Sequence, residues 1–291
     1  MTGTILAVKD LKICHTESDM VLVDEVSFDL HLGETLAIVG ESGSGKSITA
    51  LSIMRLLPSA LGIVNGSVTF GQEDIFNKTE IQMNEIRGRR IAMIFQEPQA
   101  SLNPVQTVGE QLSETLSLHR ELTGFDSRSM AIELLGEVGI PDPKLRIDWY
   151  PHQLSGGQVQ RIMIAIALAC DPKVLIADEP TTALDVTIQK QVLDLLERLK
   201  TNRNLSILFI THDMGVVSQV ADRVVVMKEG KVLETAECAN FFGAPKHQYS
   251  QQLITSLPNT DDYLTNEVTK PLLRVNNLHV WFPVKSGFFQ R

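Results

Sequence analysis

Residues 40–47 read Gly40-Glu41-Ser42-Gly43-Ser44-Gly45-Lys46-Ser47, a match to the pattern GxxxxGK[ST]. Before them, Thr35–Val39 is a short apolar run; after them, Ile48–Leu57 reads as a helix stopped by Pro58. Strand, glycine loop and helix in that order form the context a phosphate-binding loop requires. Glycines let the backbone curl so that successive N–H groups face inward. The helix N-terminus adds its partial positive charge. Lys46 is expected to reach the β- and γ-phosphates of a nucleotide, and Ser47 to ligate Mg²⁺. These eight residues specify a P-loop nucleoside triphosphatase and leave kinases and GTPases open.

Further along, Val174-Leu175-Ile176-Ala177-Asp178-Glu179 reads as a buried strand ending in two carboxylates. Strand alternation makes adjacent acids diverge, so they can take different tasks. Asp178 suits the coordination sphere of Mg²⁺, and Glu179 suits a general base that polarises an attacking water. Between the two motifs, Leu154-Ser155-Gly156-Gly157-Gln158 precedes a helical stretch over Val159–Cys170. A serine and two glycines ahead of a helix make a second anion site from a hydroxyl, free N–H groups and the helix dipole. The plainer reading of Ser155 is an ordinary helix N-cap.

LSGGQ at 154–158 resembles the signature of the ATP-binding-cassette family. The order of motifs is also that family's: the Walker A loop, Gln96 after a strand, the signature, the Walker B strand, Ala183-Leu184-Asp185, then His212. The resemblance covers about residues 4–256. It implies an α/β fold with a RecA-like parallel-sheet core, an antiparallel β subdomain and an α-helical subdomain at about 97–165. It implies two cassettes packed head to tail, each ATP lying between the Walker A loop of one and the signature of the other. Ser155, Gly156, Gly157 and Gln158 would then act in trans. Gln96 would contact Mg²⁺ and the water, and relay the nucleotide state to a membrane partner. His212 would contact the γ-phosphate, and Asp185 would help couple the two sites. The family stacks adenine on an aromatic side chain shortly after the first strand; the candidate here is His15, whose imidazole stacks less well than a larger ring.

Gln96-Glu97-Pro98-Gln99-Ala100-Ser101-Leu102-Asn103-Pro104 is similar to the QEPxxSLNP segment of the di- and oligopeptide/nickel importer ATPases. Tyr150-Pro151-His152-Gln153 and His247-Gln248-Tyr249-Ser250-Gln251-Gln252-Leu253 fit the same group. That likeness implies two integral-membrane permeases as partners, a periplasmic or extracellular solute-binding protein acting indirectly, and a peripheral place at the cytoplasmic face of the plasma membrane. The cargo is open between peptides, modified peptides, nickel and other solutes.

Composition sets limits. The 291 residues carry a net charge of −9, which disfavours a nucleic-acid surface. Cys14, Cys170 and Cys238 show no CxxC spacing, so neither a disulfide framework nor a metal knuckle is expected. No signal peptide is read at Met1–Lys9, and no apolar run reaches the length of a membrane span. Outside the importer reading stand soluble ABC ATPases acting on DNA or ribosomes. The former carry a long coiled coil between Walker A and signature, absent here; the latter join cassettes by a basic linker, whereas Leu257–Lys270 carries Asp261, Asp262 and Glu267.

Near the end, Leu273–Val280 reads LRVNNLHV, against LAVKDLKI at Leu6–Ile13. An eight-residue strand pattern recurs by chance, but a repeat one domain apart points to a second copy of the module. The expected organisation is therefore a cassette over 1–256, a linker over 257–270 and the first strand of a second cassette over 271–291. The natural second cassette would lie on the same polypeptide or come from a second copy of this chain.

Overall fold

The computed structural model of the chain describes residues 3–97, 101–182, 184–256 and 273–281. Two sheets organise residues 3–256. One is antiparallel, in the order β2 (Val21–His31), β1 (Thr4–His15), β4 (Leu61–Phe70), β5 (Glu73–Asp74). The other has six strands in the order β10 (Lys231–Glu237), β9 (Arg223–Lys228), β3 (Thr35–Val39), β8 (Ser206–Thr211), β7 (Val174–Asp178), β6 (Ile91–Ile94). From β9 to β6 every pairing is parallel, and β10 closes one edge as an antiparallel hairpin with β9.

The continuous apolar runs have a direct cause. Leu36 and Ile38 face one core with the antiparallel sheet, while Ala37 and Val39 face another with Met214, Val217 and Phe241. In β7, Val174 and Ile176 join the first core; Leu175 and Ala177 join a third, built on the helices of the middle of the chain. Strands covered on both faces lose the alternation that marks a half-exposed strand.

Along the chain the helices are α1 (Lys46–Ile53), α2 (Glu80–Ile86), α3 (Val108–Arg120), α4 (Gly124–Glu137), α5 (Pro143–Arg146), α6 (Gly156–Leu168), α7 (Val186–Arg203), α8 (Met214–Val220), α9 (Cys238–Gly243) and α10 (Gln248–Thr255). Thus α3 to α6 form the helical part, with Leu112, Leu116, Leu134, Leu135 and Ile162 in one shared core.

Three boundaries differ from the sequence reading. Helix α1 starts at Lys46 and ends at Ile53, five residues before Pro58, because Arg55 turns to φ 51°. The sequence reads as a strand over Gly66–Phe70, but strand β4 begins at Leu61, five residues before Gly66; the glycine sits opposite a register shift between Lys9 and Lys12. The sequence over Phe241–Ser256 reads as one last helix, but the stretch holds two, α9 and α10. Pro245 has no N–H to continue α9, and Ala244 before it is extended at φ −152°. The expected linker at 257–270 lies outside the described residues. Residues 273–281 carry no strand and are exposed.

Candidate functional site

The parallel strands deliver the predicted residues to one end of the sheet. β3 runs into Gly40, β7 ends at Asp178, β8 is followed by His212, and Gln96 lies just past β6. Ligands of open parallel sheets bind beyond these carboxyl ends.

The 40–47 loop is shaped by a close approach. Gly40 has φ 152°, and a Cβ there would stand 2.1 Å from the carbonyl oxygen of Met227 on β9. Only glycine fits. Gly230 N donates to Ser44 O at 3.1 Å, tying the loop to the β9–β10 turn. Lys46 folds over it, its Nζ donating to the carbonyls of Gly40 and Glu41 at 2.8 Å each and to Ser44 Oγ at 3.4 Å. Burial lowers the Lys46 pKa, outweighing the nearby carboxylates of Glu179 and Asp178. An anion of high charge entering the loop would draw this ammonium off its own carbonyls.

Ser47 Oγ donates to Asp178 Oδ1 at 3.0 Å. Burial pushes the Asp178 carboxyl up, against the pull of the Ser47 hydrogen bond. A hydroxyl and a carboxylate converging beside a phosphate loop are hard oxygen donors in small number. Mg²⁺, which keeps several waters and phosphate oxygens of its own, fits such a set. Gln96 stands across the site and can supply an amide oxygen.

Glu179 is the point of convergence. Its N–H donates to Ile210 O at 2.9 Å, which sets it beside the end of β8. Its φ is 47°, a left-handed conformation uncommon outside glycine and typical of residues held at functional sites. One carboxylate oxygen lies 3.0 Å from His212 Nδ1. The other accepts from Gln96 Nε2 at 3.1 Å and from Thr182 Oγ1 at 2.9 Å. Burial pushes this carboxyl up, but the hydrogen bonds from His212 and Thr182 win, and its pKa falls below the ordinary range. It is an ionised acceptor at neutral pH, as a base must be.

The signature segment stands apart. Ser155 caps α6 with Gln158 in a reciprocal box: Gln158 N donates to Ser155 Oγ at 3.4 Å, and Ser155 N to Gln158 Oε1 at 3.1 Å. Ser155 and Gly156 are exposed. Gly157 packs so closely on α7 that a Cβ would meet Ile188 Cγ2 at 2.7 Å. Among the described residues, no hydrogen bond joins 154–158 to residues 40–47 or to Glu179. Asp185 caps α7, its Oδ1 accepting from Thr187 N at 3.1 Å and Ile188 N at 3.0 Å. Gln189 on the same helix reaches Asp213, next to His212, at 3.3 Å. His15 is half-buried, with Nδ1 accepting from Glu17 N at 3.3 Å. Ala183 lies outside the described residues.

Two contacts had escaped the sequence reading. Thr182 carried no signal beyond being a hydroxyl three residues after Glu179. Tyr249 lies inside a segment read only as a family marker, yet its Oη accepts from Glu41 N at 3.2 Å.

Comparison with known proteins identifies the family. The chain is 47% identical to a peptidoglycan transport ATP-binding protein of Agrobacterium fabrum, over all of this chain and 54% of that one, so it spans about half that relative's length. It is 48% identical to a protein of Brucella abortus named for peptide import, over 93% of this chain and 82% of that one. Its fold matches the dimeric post-hydrolysis state of the ATP-binding cassette MJ0796 bound to ADP and Pi, with a TM-score of 0.70 and 27% identity over 80% of this chain and 98% of the other. The profile described as ABC transporter covers residues 23–182, more than half of the sequence, and the chain belongs to that family.

Proposed function

We propose that this chain is the ATP-hydrolysing cassette of a bacterial importer of peptides or modified peptides. The observation that carries the reading is the ionised Glu179 carboxylate, held by Gln96, Thr182 and His212 one residue beyond the Asp178–Ser47 pair. Gly40, Ser42, Gly43, Ser44 and Gly45 cradle the phosphates with backbone N–H groups, while Glu41 N–H is held by Tyr249 Oη and shapes the loop around them. Lys46 neutralises the β- and γ-phosphates. Ser47, Asp178 and Gln96 would hold Mg²⁺, which would offset charge developing in phosphoryl transfer. Glu179 accepts a proton from the attacking water, and His212 steadies the carboxylate and the γ-phosphate.

The helix start at Ser155–Gln158, exposed at Ser155 and Gly156, makes no hydrogen bond to its own Walker A loop among the described residues, so it serves the site of a second cassette. The Agrobacterium relative, about twice as long, supports a parent protein in which that cassette follows on the same polypeptide; a second copy of this chain is the other source. Asp185 couples the two sites through α7 and Gln189. No helix of the described residues is long and apolar enough to cross a membrane. In this reading the cassette works at the cytoplasmic face through two permease subunits, with a solute-binding protein delivering cargo; relatives named as peptide import ATP-binding proteins support it.

The test is ATP turnover of the full parent protein in liposomes with its permeases and binding protein, challenged with short peptides and with Ni²⁺. Stimulation by peptides supports the reading. Stimulation by Ni²⁺ alone moves the cargo to the metal, and no stimulation by any solute removes the importer assignment.

His15 is the proposed adenine platform. Its edge is tied to Glu17, leaving the ring face for the base. Stacking of a larger ring is stronger by about 1 kcal/mol. His15→Tyr is therefore expected to tighten ATP binding about fivefold by calorimetry; an unchanged Kd would place adenine elsewhere.

A further inference from the structure

The phosphate loop has one attachment that the chemistry above does not use. Glu41 N–H, at its second position, donates to the phenol of Tyr249, 208 positions downstream. That phenol is built into place. Its ring is 4% exposed and lies 4.6 Å below Lys228 Nζ at the end of β9. Its own N–H is capped by His247 Nδ1 at 3.1 Å. The Glu234 carboxylate on β10 accepts from Lys246 N and His247 N at 2.9 Å each, fixing the approach to α10. Burial also pushes the Tyr249 pKa up, so the group is a neutral phenol in the cell's pH range.

We propose that Tyr249 is a positioning residue for nucleotide binding, holding the phosphate loop in its binding shape and tying ATP occupancy to helix α10. The inference rests on the ATP reading above. A loop with glycines at 40, 43 and 45 has much freedom to lose when a ligand organises it, and a contact made before binding removes part of that cost. Linkage is reciprocal: whatever Tyr249 contributes to ATP affinity, ATP contributes to the order of α10. Helix α10 is the last described element before residue 257, so the end of the cassette senses the nucleotide.

Tyr249→Phe keeps the ring over which Lys228 lies and removes only the hydroxyl. With the chain purified as it stands, the Kd and KM for ATP are expected to rise about three- to tenfold, the worth of one hydrogen bond, while kcat at saturating ATP stays within about twofold. The melting temperature without nucleotide is measured alongside. A lower melting temperature with unchanged Kd and KM would make Tyr249 a packing residue only and overturn the proposal. Should the variant not fold, hydrogen exchange of residues 248–255 in the wild type decides. Exchange slowed by ATP supports the coupling, and exchange indifferent to ATP at saturation overturns it. Failure of the wild type to bind ATP at all would sink the ATP reading itself, a result distinct from either.

Discussion

Glu179→Gln is expected to cut ATP turnover by about 10²–10⁴-fold, the usual worth of a positioned general base, with ATP affinity within about threefold of the wild type. The carboxylate's environment separates the two effects. Its oxygens are occupied by Gln96, Thr182 and His212, and none is committed to the phosphate loop. A glutamine can keep most of those contacts, since its amide offers an oxygen and a donor, but it cannot take a proton from water. ATP that binds and is not cleaved should accumulate, and with it the two-cassette state. Size-exclusion chromatography with Mg-ATP is expected to show a larger species for the variant than for the wild type. Turnover reduced by less than tenfold would move the base to another group, with His212 the first to examine.

The second large effect is on binding. Lys46→Ala is expected to weaken ATP by at least about 10²-fold, the loss of two charge-assisted hydrogen bonds of roughly 1.5–3 kcal/mol each. The ammonium caps the carbonyls of Gly40 and Glu41. Its loss therefore also loosens the empty loop, and the melting temperature without nucleotide is expected to fall slightly. Calorimetry separates the two, since the affinity change is far larger than the stability change. An alanine variant that still binds ATP within tenfold would show that backbone N–H groups alone hold the phosphates.

Much of this was legible before any coordinates. Thr35–Val39 and Val174–Ala177 signal a parallel sheet because strands buried on both faces read as unbroken apolar runs. The Ser155-x-x-Gln158 spacing carried its own cap, since a reciprocal box is a local device. What stayed hidden was nonlocal or conformational. Tyr249 and Glu41 are separated by nearly the whole cassette, and a single long-range hydrogen bond imprints no period on a sequence. The left-handed backbone of Glu179, which turns its side chain towards His212, belongs to a residue type that gives no hint of it. Pro245 is visible in the sequence, but the helical pattern on either side of it hides the break between α9 and α10.

The neighbours of β3 have a consequence for how the protein comes into being. The strand that leads into the phosphate loop is flanked by β8 and β9, and the loop itself leans on Met227, Gly230 and Tyr249. Every one of these partners is made at least 160 positions after Ser47 or the strand before it. During synthesis the antiparallel sheet of β1, β2, β4 and β5 can pair early, from contacts made within the first 74 residues. The nucleotide site cannot, because pairings that span long stretches of chain wait for the whole stretch to be present. A nascent cassette is therefore expected to assemble its nucleotide site only after β8 and β9 have emerged, so shorter chains would lack a complete site for ATP.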